Sequence, residues 1–397
     1  MTRLTFALAS LALVGCTPDD GASLDCPAGS VCRWAGTGKL GYNNTEPGAH
    51  RLESRLYYPQ DVTFDADGRG YIVDFNNHRI RRAELDGSLV DIMGADYEGD
   101  GPPQMEDRLP QCAAPGAPGT TVALNHPTDA TFGPDGKLYV AAWHNNKIRV
   151  YDPATDLVTA VGDGYGYAGE GAAACHALFN QPKAVEIAPD GTIYTIDQRN
   201  VRIRKITMGT GDDIQAAMVT TIAGRGVPGD TGDGGDALLA QFGFETGTTP
   251  RTTGSLVLDG ETLYVADSVN NRIRRIDLAT GIISAFAGRP DAGYSGDGGP
   301  AIDAQLDFPT DMEMGPDHRL YIADTNNNVV RAIDLATGTI ETVVGSGATC
   351  DTSKEPCPDV TPIAEAAFDE PYGIAFDNAG VLYVADSHNH RIMKVAR

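Results

Sequence analysis

Several common kinds of chemistry are missing from this chain. It has no His-Glu-x-x-His, no Gly-x-Ser-x-Gly and no phosphate-cradling Gly-Lys-Ser/Thr, which removes the motif-borne zinc-protease, serine-hydrolase and P-loop sites. Cys-x-x-Cys is absent, so zinc and dithiol-redox sites of that spacing are not signalled. Basic residues are scarce, with 30 against 54 acidic ones and a net charge of −24. A phosphate backbone repels such a surface, so nucleic acid is not an expected partner. Acidic charge is more often a solvated surface than a recruiter of cations. Past the first residues no run is apolar enough to cross a membrane.

What is plentiful points elsewhere. The 397 residues contain 47 Gly and 24 Pro, and 41% are hydrophobic. That composition suits many turns between short strands around a sizeable core.

The first residues read as a targeting segment. Arg3 supplies one positive charge, Leu4 to Leu13 is a short apolar run, and Leu13-Val14-Gly15-Cys16 follows. A run this short with small residues before a cleavage point marks a signal peptide. The Leu-x-Gly-Cys ending resembles a bacterial lipobox, which implies that Cys16 becomes a lipidated N-terminus. Several acyl chains would anchor it stably. Thr17 rather than Asp follows, so by resemblance the inner-membrane retention signal is missing. The expected division is 1–15 signal peptide, 16–30 lipidated end and tether, and 31–397 one folded domain. The expected location is the bacterial cell envelope, at the outer membrane in a Gram-negative source, with membrane contact through the anchor alone. Six further cysteines remain: Cys26, Cys32, Cys112, Cys175, Cys350 and Cys357. An even count in an exported chain suggests disulfides, and sequence leaves their pairing open.

Self-similarity is the dominant signal. Pro309-Thr310-Asp311-Met312 leads through Tyr321-Ile322-Ala323-Asp324 to Asn326-Asn327 and then Val330-Arg331. The same phrase starts at Pro59, Pro127, Pro182, Pro250 and Pro371. Its centre recurs as Tyr71-Ile72-Val73-Asp74, Tyr194-Thr195-Ile196-Asp197, Tyr264-Val265-Ala266-Asp267 and Tyr383-Val384-Ala385-Asp386, with Ala142 replacing the Asp in the second copy. Each copy holds apolar runs broken by turns such as Asp67-Gly68 or Asp190-Gly191, which favour tight hairpins. The middle run is apolar on both faces, as a strand covered on both sides must be.

Six such copies resemble the NHL repeat family. The resemblance implies an all-β fold: a six-bladed β-propeller spanning about residues 31–397. The last copy ends on its third strand at Arg391 to Val395, and Val31-Cys32-Arg33-Trp34-Ala35 matches its missing fourth. Residues 31–35 are therefore predicted to sit beside 391–395, closing the ring and removing its free edge.

In a propeller the second-to-third turns share one face, the top, with the connections between blades. Those connections (95–125, 163–180, 225–249, 289–307 and 346–370) are long, and long loops on a rigid scaffold usually bind something. The channel mouth should be rimmed by Asp61, Asp129 and Asp311, with Ala184, Thr252 and Gly373 at the other matching positions. Three converging carboxylates could hold a divalent cation such as calcium, although Asp more commonly accepts local backbone amides. His78, His144, His388 and His390 fall in the top turns as a candidate binding face, whether for a metal or simply facing solvent. The repeated Asp of each copy reads as a turn cap, because catalysis needs one asymmetric arrangement. The Gly/Asp-rich loops lack the EF-hand ligand order; Asp236 or Asp297 could cap short helices there.

The sequence thus favours a monomeric, non-enzymatic scaffold that recognises a protein or glycan. Related six-bladed families include metal-dependent lyases and lactone hydrolases. By that resemblance the rival is an enzyme centred on the channel mouth.

Overall fold

The computed structural model describes residues 24, 26–43, 48–95, 116–208, 217–244 and 253–397. Cys16, Cys112, Pro250 and Thr252 lie outside them. Within the described residues, six four-stranded antiparallel meanders stand side by side, giving the six-bladed propeller. The first blade is Pro59–Phe64, Gly70–Asp74, Arg79–Ala83 and Leu89–Met93.

The ring closes as the repeat pattern requires. Ser30–Ala35 is the fourth strand of the last blade. Val31 pairs with Val395 and Arg33 with Met393. Trp34 lies edge-on to Tyr383, with ring centroids 5.2 Å apart.

Flat two-sided apolar strands need cover on both faces, and the core is accordingly divided into six slabs. Each lies between two neighbouring blades. Tyr71, Val73 and Met93 meet Leu124, Val140 and Tyr151 between the first two. Leu56, Val62 and Ile72 meet Ala375, Tyr383 and Ile392 across the closing seam.

The long connections carry a structural duty that the sequence did not show. Their described parts pair with the outermost strand of the following blade. Ala172–Ala173 pairs with Met218–Ala223, and Val360–Pro362 pairs with Ser30–Ala35. The 225–244 stretch donates Gly234 and Ala237 amides to Ile283 and Gly281 carbonyls. Exposed outer edges would invite pairing with other chains, and these straps cover them.

The repeated Asp explains how the straps are held. Asp267 accepts the Gly243 amide at 2.6 Å and the Asn270 side chain at 3.0 Å. Asn270 also donates to the Gly229 carbonyl at 2.8 Å. Arg274, wholly buried, lies 3.5 Å from Asp267 and donates to the Gln241 carbonyl at 2.6 Å. Asp74, Asp197 and Asp324 serve the same way with Arg81, Arg204 and Arg331. Burial is the main cause that raises these carboxyls, Asp267 to about 6 and Asp324 to about 7. In the second copy Ala142 cannot accept, and Asn145 Oδ1 takes the Asn125 amide at 2.8 Å.

Asp236 caps its short helix by accepting the Leu238 amide at 2.9 Å. Asp297 does not; its carboxylate is held by Arg331 at 2.6 Å and Thr342 at 2.7 Å.

Two disulfides flank the closing seam, Cys26–Cys32 and Cys350–Cys357. Cys175 is also disulfide-bonded, and its partner lies outside the described residues.

Candidate binding face and channel

The innermost strands line the channel with alternate side chains. They enclose a cavity of about 230 Å³ bordered by Asp61, Asp129, Glu186, Asp311 and Glu313. The expected trio does come together there, and Glu186 and Glu313 join it. Those two were not singled out from sequence, although each lies two residues beyond a matching rim position. Gly373 takes its predicted place: a Cβ there would meet the Gln60 carbonyl at 2.3 Å. The fourth blade differs. Its first strand is Leu256–Asp259, and Ser255 bonds to the blade's own Ala266. Ser255 therefore holds the position expected of Thr252.

Four of the five carboxyls, and Ser255, have a structural task. Asp61 Oδ2 accepts the Ala130 amide at 3.2 Å, Asp129 Oδ2 that of Val185 at 2.7 Å, and Asp311 Oδ2 that of Ile374 at 2.8 Å. Ser255 Oγ accepts from Met312 at 3.1 Å and donates to Asp311 at 2.8 Å. Glu186 takes the Leu258 amide at 3.0 Å. Every one of these bonds runs from one blade to the next. Among the described residues, no three His, Cys, Asp or Glu side chains form a group able to hold a metal ion.

Crowding five carboxyls in a narrow bore disfavours their charged forms. Burial raises all five first, and repulsion from neighbouring carboxylates adds to it at Asp61, Glu186, Asp311 and Glu313. Asp311 is raised to about 6 and Glu186 to about 8. Asp61 and Glu313 are held well above the carboxylate range. Lys183 counters this at Asp129 and Asp311.

On the top face the four candidate histidines split into two kinds. His78 and His390 each end a second-to-third turn in left-handed backbone, at φ 54°. Their Nδ1 atoms accept the amides of His126 and Tyr58 on the next blade, at 3.1 and 3.3 Å. Asn146, Asn271 and Asn328 fill the same slot elsewhere and take the Gln181, Phe308 and Glu370 amides. These histidines are inter-blade latches. The residues they hold are also left-handed, with φ between 45° and 57°, and each precedes a proline. That conformation costs energy for a non-glycine residue, and the latch helps to hold it.

His144 and His388 are different. Each is half-buried at the tip of its turn. His388 lies 5.0 Å from the Tyr58 ring and 3.4 Å from Glu370. His144 stacks on Trp143 at 4.1 Å. His126, missed from sequence, lies between His78 and His144, with ring centroids 4.4 and 4.7 Å away. The histidine before Pro127 was the available signal. Two aromatic and imidazole patches result. One, at the closing seam, holds Tyr57, Tyr58, His388 and His390. The other holds Phe75, His78, His126, Trp143 and His144.

The NHL repeat family model matches residues 56–82 and 368–394, the heart of the first and last blades. Those two blades match the NHL repeat. Over 301 residues the chain is 27% identical to the Arabidopsis thaliana chloroplastic protein SUPPRESSOR OF QUENCHING 1, covering 70% of the chain and 25% of that protein. It is 29% identical over 243 residues to human NHL repeat-containing protein 2, covering 55% of the chain and 31% of that protein. The match thus spans less than a third of either relative. Among solved structures, a Bacteroides thetaiotaomicron protein of unknown function superposes with TM-score 0.64 at 17% identity, covering 92% of this chain and 75% of that one. A Bacteroides ovatus auxiliary nutrient binding protein gives 0.61 at 16%, covering 92% and 76%. These likenesses are of fold.

Proposed function

We propose that this NHL propeller is an envelope-anchored binding scaffold whose top face recognises a protein or glycan. The observation that carries the reading is the half-buried rings on that face, Tyr57, Tyr58 and His388 at the seam and His126 and His144 in the other patch, seated on the buried Phe75 and Trp143. Rings with one apolar body and one polar tip suit hydrated partners such as sugars and peptide side chains. A solved protein of similar fold is described as nutrient binding, which agrees with this use of the architecture.

The anchor fits the same picture. Ser30 pairs with Ala396 at the end of a strand that begins at the top with Arg391, so the chain enters the ring from the bottom. A lipid on Cys16 would tether the bottom toward the membrane and leave the top outward. The test is a glycan array and a cross-linking pull-down with wild type, a Tyr58→Ala/His388→Ala double variant, and a bottom-turn Asp67→Ala control. The double variant should lose the partners that wild type and control keep. Retention of every partner by the double variant would end this reading.

The second reading is a metal-dependent enzyme of lyase or lactone hydrolase type, with a divalent cation such as calcium at Asp61, Asp129 and Asp311. Its support is the five carboxyls around one cavity; no three of them are set to hold an ion as they stand, so binding would have to draw them together. Stoichiometric calcium in purified protein, lost in Asp129→Asn, would favour it over the scaffold.

A further inference from the structure

We propose a transition-metal site on the top face, built from His126 Nδ1, His144 Nδ1 and Asn125 Oδ1, with a square-planar or octahedral divalent ion, copper(II) or nickel(II), as its ligand. The two Nδ1 atoms face each other at 2.9 Å across rings set at 86°. Asn125 Oδ1 faces the same His126 nitrogen at 2.7 Å. His144 Nδ1 and Asn125 Oδ1 thus both crowd the one nitrogen of His126.

A proton satisfies this group poorly. Two facing imidazole nitrogens share a single N–H between them, and Asn125 Oδ1 competes for that same hydrogen. One cation accepts all three lone pairs together. The spacing also discriminates between metals. Two bonds of about 2.0–2.1 Å at right angles put their nitrogens about 2.9 Å apart, whereas a tetrahedral ion needs about 3.3 Å. The observed 2.9 Å matches the right-angle case, favouring copper or nickel over zinc.

The surroundings fix the donors in place. His78 Nδ1 holds the His126 backbone amide at 3.1 Å. Asn145 Oδ1 holds the Asn125 amide at 2.8 Å. Trp143 stacks beneath His144. Supporting contacts of this kind keep ligands oriented before the ion arrives. Both imidazoles are half-buried, so water can complete the coordination shell. The net charge of −24 raises the local concentration of cations.

The repeats supply variants that keep the fold. The slot of His126 holds Gln181 in the third blade, and the slot of His144 holds Asn76 and Asn326 in the first and fifth. The experiment is isothermal titration of tag-free full chain with copper(II), nickel(II) and zinc(II) at pH 7.5 in a non-coordinating buffer, beside His126→Gln, His144→Asn and His388→Asn. One copper or nickel ion should bind per chain, with zinc at least tenfold weaker. His126→Gln and His144→Asn should each weaken copper at least tenfold, and His388→Asn should leave it unchanged. Absence of copper and nickel binding to wild type, or binding that survives His126→Gln, would overturn the proposal. Its failure would leave the binding-scaffold reading standing, because that reading is scored on partner capture.

Discussion

His390 Nδ1 accepts the Tyr58 backbone amide at 3.3 Å, joining residues 332 positions apart in the chain. The bond crosses the seam where the last blade meets the first. The equivalent bond recurs at four other blade junctions, with His78, Asn146, Asn271 or Asn328 as acceptor. The slot selects for a side-chain acceptor that tolerates left-handed backbone, which Asn and His both do.

His390→Asn should therefore keep the latch, and His390→Ala should lose it. A buried amide left without its partner costs on the order of 1–3 kcal/mol. The alanine variant should melt a few degrees lower, while the asparagine variant stays close to wild type. Differential scanning calorimetry at pH 7.5 distinguishes them. Equal melting of the alanine variant and wild type would mean that the latch contributes nothing.

The same histidine predicts an acid-side loss of stability. Burial first, and then His388, lower its pKa to about 4, below the ordinary 6.5. Between those values the unfolded chain binds a proton that the folded chain refuses. The contribution is complete above pH 6.5 and falls as pH drops toward 4, by on the order of 3 kcal/mol in all. Urea titrations of wild type and His390→Asn from pH 7 to 4 should diverge, with wild type declining more steeply. Parallel curves would refute the assignment.

Glu186 predicts the opposite limb. Burial is the largest cause that raises it, to about 8, and Asp129 and Asp311 add repulsion. The folded carboxyl keeps its proton where the unfolded one has lost it. Its stabilising contribution is full below about pH 4.3 and disappears as pH rises through 8. Glu186→Gln keeps an oxygen for the Leu258 amide and removes the titration. Its melting temperature should match wild type at pH 5 and exceed it at pH 8.5. A variant less stable at both values would show that the carboxyl is charged and needed.

How much of this was legible in the chain follows from what each residue does. The blades, their order and the pairing of Val31 with Val395 were readable because every strand repeats one hydrophobic pattern, and a missing strand shows as a gap in it. The fourth blade's start was not, because Pro250 imitates the repeat's first residue while the strand begins at Leu256. The convergence of Asp61, Asp129 and Asp311 was readable from their matching positions. Their bonds across blade boundaries were not, since the donating amides lie about 60 residues away, as Ile374 does from Asp311. The edge-covering role of the long connections was not legible, because sequence gives their length and hides the strand edge they cover. His78 and His144 looked alike in the pattern. Only the structure separates them, because His78 reaches the next blade and His144 turns to His126 of its own blade.

The closing seam yields the last prediction. Cys32 lies within the closing strand, and Cys357 stands three residues before the strap that pairs with that strand's outer edge. Both bonds close short loops, of separation 6 and 7. In the chain-entropy account each contributes roughly 2 kcal/mol. They brace opposite sides of one strand, so their effects should not simply add. The Cys26→Ser/Cys32→Ser variant, and the same change at Cys350 and Cys357, should each lower the melting temperature, and all four together should loosen the seam selectively. Hydrogen exchange reads this directly. The Val31 and Val395 amides should lose protection, while Thr195 and Arg204 in the third blade, remote from the seam, keep theirs. Uniform loss across all blades would show that the ring opens only as a whole, and unchanged protection at Val31 would show that the hydrogen-bonded strand alone holds it shut.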